Sequence, residues 1–158
     1  MNVIAWSENL TAERAEKCGT TLVSKDDLFR QSDYVVVMVI QSDRTIGLVG
    51  AHEIGLMKSD AYLINPARGP IVDEAALVDA LKNNKIAGAG LDVYDEEPLP
   101  IDHPFRGLPN TVLMPHVAGF TREHYAHWYN GMMEDVRAWL GSEIINEIHG
   151  SGIVAARV

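Results

Sequence analysis

Short apolar runs rich in β-branched residues alternate along this chain with segments whose apolar positions recur every three or four residues. That alternation is the pattern of a parallel sheet covered by helices. Strands are predicted at residues 3–6, 20–23, 34–40, 61–65, 87–93 and 111–114, and helices at 11–18, 24–31, 51–57 and 73–83. Thr11 and Ser24 stand where N-caps belong, and Asp27, three residues after Ser24, is placed to return the capping bond. The run 34–40 is almost wholly apolar, which predicts a central strand covered on both faces. From 121 to 140, Tyr125, Trp128, Tyr129, Met132, Met133, Val136, Trp139 and Leu140 draw one stripe down a long amphipathic helix that Gly141 should stop. So large a stripe exceeds the need of one sheet face, and part of it is expected to pack on a second domain or chain. Residues 142–158 show no period, and Gly150-Ser151-Gly152 is expected to be mobile.

At 158 residues and 47% hydrophobic content the chain is the size of one domain and rich enough in apolar residues for a sizeable core. Its formal charge of −9 disfavours nucleic acid and anionic membrane surfaces as partners, while a local arginine can still hold a small anion. The single cysteine, Cys18, has no partner thiol and no metal-ligand spacing around it, which suggests a reduced compartment. No segment approaches the roughly 20 apolar residues of a membrane span, and the N-terminus lacks a signal-peptide layout. The expectation is a soluble, cytoplasmic protein.

Three residues carry the chemistry. Arg68 in Asn65-Pro66-Ala67-Arg68-Gly69, Glu97 in Tyr94-Asp95-Glu96-Glu97-Pro98, and His116 in Pro115-His116-Val117 each follow an apolar run that reads as a buried strand. Strand ends are where doubly wound α/β proteins place their ligands. A guanidinium offers a planar, permanently charged fork that matches a carboxylate. An imidazole moves protons near neutral pH, and a carboxylate beside it fixes the tautomer and favours the charged form. His52, His103, His124, His127 and His149 read as surface residues, and no ligand pattern completes a metal site.

The segments 63–74 and 87–94 together with Pro115-His116 resemble the signature of the D-isomer-specific 2-hydroxyacid dehydrogenases, and the similarity runs over residues 1–140. The resemblance implies a Rossmann-type dinucleotide-binding domain, a doubly wound parallel sheet, inserted into a flavodoxin-like substrate domain. Residues 1–120 would be part of the former, and the helix and tail at 121–158 would pack on the latter. The glycine-rich phosphate loop of such domains, Gly-x-Gly-x-x-Gly after the first strand, is absent from the sequence, and residues 1–6 match the second strand. The expectation is therefore a fragment that lacks the first strand, the phosphate loop and the N-terminal part of the substrate domain.

The same resemblance assigns roles. Arg68 would bind the carboxylate and carbonyl oxygen of a 2-oxo acid, and His116, partnered by Glu97, would be general acid in reduction and general base in oxidation. Asp92 would accept a hydrogen bond from the nicotinamide carboxamide. The backbone of Pro66, Ala67 and Arg68, together with His116, would line the nicotinamide, Gly119 would let the ring approach, and Val39 and Ile40 would wall the cofactor. Ser7 stands where NAD-using enzymes carry an acid on the adenosine ribose; Glu8 follows it, and Arg14 is the first arginine after it. NAD is the expected cofactor, with NADP left open. The resemblance also implies a homodimer, with a small 2-oxo or 2-hydroxy acid as substrate. An alternative from another class is a dinucleotide-binding or interaction module without turnover.

Overall fold

The computed structural model of the chain describes residues 1–146; Gly150-Ser151-Gly152 lies outside them. The chain divides into two compact units, Met1–Ala118 and Gly119–Val158. In the first, six short strands alternate with four helices. Their order is β1 (Ile4–Ala5), α1 (Ala12–Lys17), β2 (Thr21–Leu22), α2 (Lys25–Gln31), β3 (Tyr34–Val36), α3 (Ala51–Leu56), β4 (Tyr62–Asn65), α4 (Glu74–Lys82), β5 (Gly88–Leu91) and β6 (Thr111–Leu113). One-turn 3-10 helices at Gly69–Ile71 and Pro104–Gly107 were not foreseen from the sequence; each carries proline in its first turn.

Capping chemistry set the helix starts. The hydroxyls of Thr11 and Ser24 accept the backbone N–H groups of Arg14 and Asp27, and the Asp73 carboxylate accepts that of Ala76. The return bond of Asp27 differs from the expected capping box. Its carboxylate takes the Ser24 hydroxyl at 2.7 Å, whereas a longer Glu would take the Ser24 backbone N–H.

All strand pairs are parallel, in the order β1-β2 in one sheet and β3-β4-β5-β6 in the other. The core lies between the four-stranded sheet and helices α2, α3 and α4, where Phe29, Leu63, Ile71, Leu77, Leu81 and Ile86 are at most 3% exposed. This is the Rossmann-like α/β arrangement expected, with one correction. The strand expected over 34–40 pairs only as far as Val36 and is covered on a single face. Val35 and Val37 are at most 5% exposed, whereas Tyr34, Val36, Met38 and Ile40 are 50–89% exposed. An unbroken apolar run therefore did not mean two covered faces.

The break between the sheets has definite walls. Thr21 and Val23 donate to the carbonyls of Val3 and Ala5, so odd-numbered residues of β1 bond β2. Val37 donates to Ile64, and Tyr62 to Asp33, so odd-numbered residues of β3 bond β4. Alternation along a parallel ladder turns the backbone groups of Ile4, Trp6, Tyr34 and Val36 the other way. These two unpaired edges line a common groove of about 290 Å³.

The second unit contains α5 (Arg122–Leu140), capped by Thr121 through the His124 N–H and ended at Gly141. Its apolar stripe is exposed, with Trp139 at 74% and Leu140 at 71%. Among the described residues, no helix is long and apolar enough to cross a membrane.

Candidate active site

Because β3 to β6 are parallel, the segments that follow them leave from the same edge of the sheet. Val39, the Pro66-Ala67-Arg68 loop, Asp92 and His116 all follow one of these strands. A ligand at that edge meets loops rather than strand interiors.

Asn65, the last residue of β4, shapes the first loop. It is 2% exposed; its side-chain oxygen accepts the Ala67 N–H at 3.1 Å, and its amide donates to the Arg68 carbonyl at 2.9 Å. A buried amide satisfied at both ends fixes the turn from which Arg68 projects. Sequence reasoning passed over Asn65, although an Asn at the buried end of a strand, before Pro66, was a signal. The exposed Arg68 guanidinium donates to the Ala67 carbonyl at 2.6 Å. Gly69 then lets this loop lie on the next, since a Cβ there would collide with the Tyr94 carbonyl and the Asp95 nitrogen.

Asp92 follows β5 and is 6% exposed. Its two carboxylate oxygens accept the N–H groups of Val117 and Ala118 at 2.7 and 2.8 Å, while its carbonyl accepts the His116 N–H at 2.8 Å. Three charge-assisted or backbone bonds thus hold the segment in which His116 adopts φ +58°, a left-handed conformation uncommon for a side chain with a Cβ. The strain aims the imidazole at Glu97: Nδ1 of His116 lies 2.7 Å from Oε2 of Glu97. Oε1 of Glu97 accepts the Tyr94 N–H at 3.0 Å, so both oxygens are oriented. The Tyr94 hydroxyl lies 3.1 Å from the Leu91 carbonyl and 2.9 Å from that of Met114, joining the ends of β5 and β6.

Burial pushes the Glu97 carboxyl up. The His116 hydrogen bond, the Tyr94 N–H and the positive charges of His116 and Arg68 outweigh it, leaving the carboxyl below its ordinary value. Glu97 is therefore an anion near neutral pH. With the carboxylate on Nδ1, that nitrogen carries the proton and Nε2 is left to exchange one, a tautomer assigned from the bonding network. The pair lines a cavity of about 540 Å³ with Tyr94, Leu99, Arg106 and Met114.

Of the residues expected at the site, the structure brings His116 and Glu97 into contact. Arg68 acts on Glu97 through its charge and does not line the cavity. Ser7 and Val39 both line the groove between β1 and β3, whereas Ile40 is 89% exposed and does not line it. Gly119 falls in the second unit. Glu8, the candidate acid after Ser7, pairs with Arg44 at 3.2 Å, which links the segments after β1 and β3. His103 was expected on the surface. It is instead partly buried, its side chain 15% exposed and 2.9 Å from Glu74. Among the described residues, no cluster of three or more His, Cys, Asp or Glu could hold a metal.

Residues 1–118 match the family described as D-isomer specific 2-hydroxyacid dehydrogenase, NAD binding domain. The chain is 46% identical over 123 residues to the D-3-phosphoglycerate dehydrogenase of Archaeoglobus fulgidus, covering 78% of this chain and 23% of that protein. It is 43% identical over 123 residues to the glyoxylate reductase of Aeropyrum pernix, covering 78% and 37%. The crystal structure of a D-3-phosphoglycerate dehydrogenase, described as putative, from Ralstonia solanacearum superposes with a TM-score of 0.83 at 29% identity, over 91% of this chain and 42% of that one. The chain thus spans less than half the length of these relatives. It belongs to the D-isomer specific 2-hydroxyacid dehydrogenases, and the part of it that matches is their NAD-binding domain.

Proposed function

We propose that this chain carries the proton-transfer half of a D-2-hydroxyacid dehydrogenase site, acting between a 2-oxo acid and its D-2-hydroxy acid. The observation that carries this reading is the 2.7 Å pair of Glu97 and His116 at the same sheet edge as the Arg68 loop. Arg68 binds the substrate carboxylate and carbonyl oxygen, because a permanently charged fork pairs with planar anions. His116 gives the carbonyl oxygen its proton in reduction and removes it in oxidation. Glu97 fixes the tautomer and stabilises the imidazolium between turns. Proton transfer of this kind is worth about 10²- to 10⁴-fold in rate.

The family's NAD, when bound, supplies or accepts the hydride. Its fit to the residues present is partial. Ser7 and Val39 line the groove at the ends of β1 and β3, suiting the adenosine side, with Ile40 as a further candidate for walling the cofactor and Gly119 kept as the residue that would let the nicotinamide ring approach. The Asn65-clamped backbone of Pro66, Ala67 and Arg68 suits the nicotinamide side, as does Asp92, each of whose oxygens keeps a lone pair beyond the bond it accepts. Ser7 carries no charge to repel a 2′-phosphate, so NADP stays as the second cofactor. The diphosphate has no glycine-rich loop in this sequence, and the two free strand edges lining the groove suit one further strand from the portion of the relatives that the chain does not span.

Substrates are sought among small 2-oxo acids, with glyoxylate and hydroxypyruvate first, and the protein is placed in the cytoplasm as a homodimer in which α5 covers its exposed stripe. The alternative, a binding or interaction module without turnover, is kept because those strand edges are unpaired. Calorimetry with NADH and NADPH, alongside steady-state assays against glyoxylate, hydroxypyruvate and pyruvate, separates the two. Weak D-specific turnover supports the dehydrogenase; dinucleotide binding without any turnover, even after the remaining part of a relative is supplied, supports the module.

A further inference from the structure

The loop that carries Glu97 is held by more than its own bonds. Glu74, the first residue of α4, has its two carboxylate oxygens committed to different segments: Oε2 accepts the Asp95 N–H at 3.4 Å and Oε1 lies 2.9 Å from Nε2 of His103. The other ring nitrogen of His103, Nδ1, accepts the Phe105 N–H at 3.2 Å as the cap of the 3-10 turn. An imidazole that accepts at Nδ1 carries its proton at Nε2, so neutral His103 makes both bonds at once. Phe105, 2% exposed and 4.8 Å from the His103 ring, anchors that turn in the core.

We propose that Glu74 and His103 are positioning residues: a second carboxylate–imidazole pair that latches the Tyr94–Glu97 segment to α4 and so sets the Glu97–His116 contact. Neither touches the reacting atoms, and the inference rests on the reading of Glu97 and His116 as the proton-transfer pair. The mechanical path is short. Glu74 holds Asp95, the neighbour of Tyr94, whose N–H orients Oε1 of Glu97, whose Oε2 accepts the hydrogen bond from Nδ1 of His116. Gly69 brings the Arg68 loop against the same two backbone units, so one latch bears on all three site residues. Asp73 and Asp95 are further acidic groups at this corner.

The latch is tested by His103→Asn in the chain as it stands. The Asn side chain is able to keep the cap on Phe105 but is too short to reach Glu74, so the turn is preserved while the latch is cut. Nuclear magnetic resonance reads the result at two places, the Nδ1 proton of His116 and the exchange rate of the Tyr94 amide. The expected outcome is an upfield move of the first and roughly ten-fold faster exchange of the second, the size of one hydrogen bond to a charged group. Glu74→Gln, which keeps only one of the two acceptor bonds and turns its own N–H groups on the other donor, should move both signals at least as far as His103→Asn. A lowered melting temperature with both signals unchanged in both variants overturns the proposal and leaves a merely structural pair. These readouts need no turnover, so a failure of the dehydrogenase reading would leave them standing.

Discussion

Nδ1 of His116 lies 2.7 Å from Oε2 of Glu97, and the two residues arrive there from different strands of one parallel sheet. Against the opposing effect of burial, the His116 hydrogen bond should hold the titration of the Glu97 carboxyl below its ordinary value. In His116→Ala the hydrogen bond and charge are lost while part of the burial stays, so its midpoint should rise. Carbon-detected titration of the Glu97 carboxyl checks this; an unmoved midpoint contradicts the pairing. The sign for stability follows. A depressed carboxyl stabilises the fold above its unfolded value, and this contribution is lost as pH falls through the folded value.

Asp92→Asn should unfold the His116 segment locally. Each Asp92 oxygen accepts one backbone N–H, and the amide would present N–H groups to one of the two donors. The expected cost is about 1.5–3 kcal/mol, read by urea denaturation, with faster exchange of the Val117 and Ala118 amides. Unchanged exchange at both positions would mean that Asp92 does not hold the loop.

Gly69→Ala should be poorly tolerated, because the new Cβ has Tyr94 and Asp95 backbone in its place and backbone yields less readily than a side-chain tip. We expect a loss of about 1–3 kcal/mol by thermal melting, the usual range for overpacking. A melting temperature equal to wild type would show that the two loops lie farther apart.

Glu53 ties α3 to α2. Lys25 reaches its carboxylate at 2.7 Å and also donates to the Leu48 carbonyl at 2.7 Å. Burial pushes the Glu53 carboxyl up, but the bonds from Lys25 and the Gly50 N–H bring it below the ordinary value. Its stabilising effect is present above the unfolded value and fades as pH falls through the folded one. Glu53→Gln should thus destabilise the protein at pH 7 and lose this effect progressively as pH falls through the folded value; a difference from wild type that does not vary with pH contradicts this.

The order of elements was legible because local rules and fold agree: Thr11 and Ser24 cap the helices that their positions imply, and strand ends deliver Arg68, Glu97 and His116 to one edge. The extent of coverage was not legible. Tyr34, Val36 and Met38 are as apolar as buried residues but face away from the helices, because periodicity records what a strand can bury and not what is there to bury it. His103 was misread for a related reason. Its partner Glu74 lies 29 residues away in the sequence, and only the folded chain brings the start of α4 within hydrogen-bond reach of that ring.

The central claim, that Arg68, Glu97 and His116 form a working dehydrogenase half-site, is tested most directly by grafting. The 123-residue segment aligned with the Archaeoglobus fulgidus D-3-phosphoglycerate dehydrogenase would replace its counterpart in that protein, with and without His116→Ala. Dinucleotide-dependent turnover of D-2-hydroxy acids by the graft, lowered about 10²- to 10⁴-fold by His116→Ala with the fold intact, is the result predicted. A folded, dinucleotide-binding graft whose turnover is the same with and without His116 would contradict it.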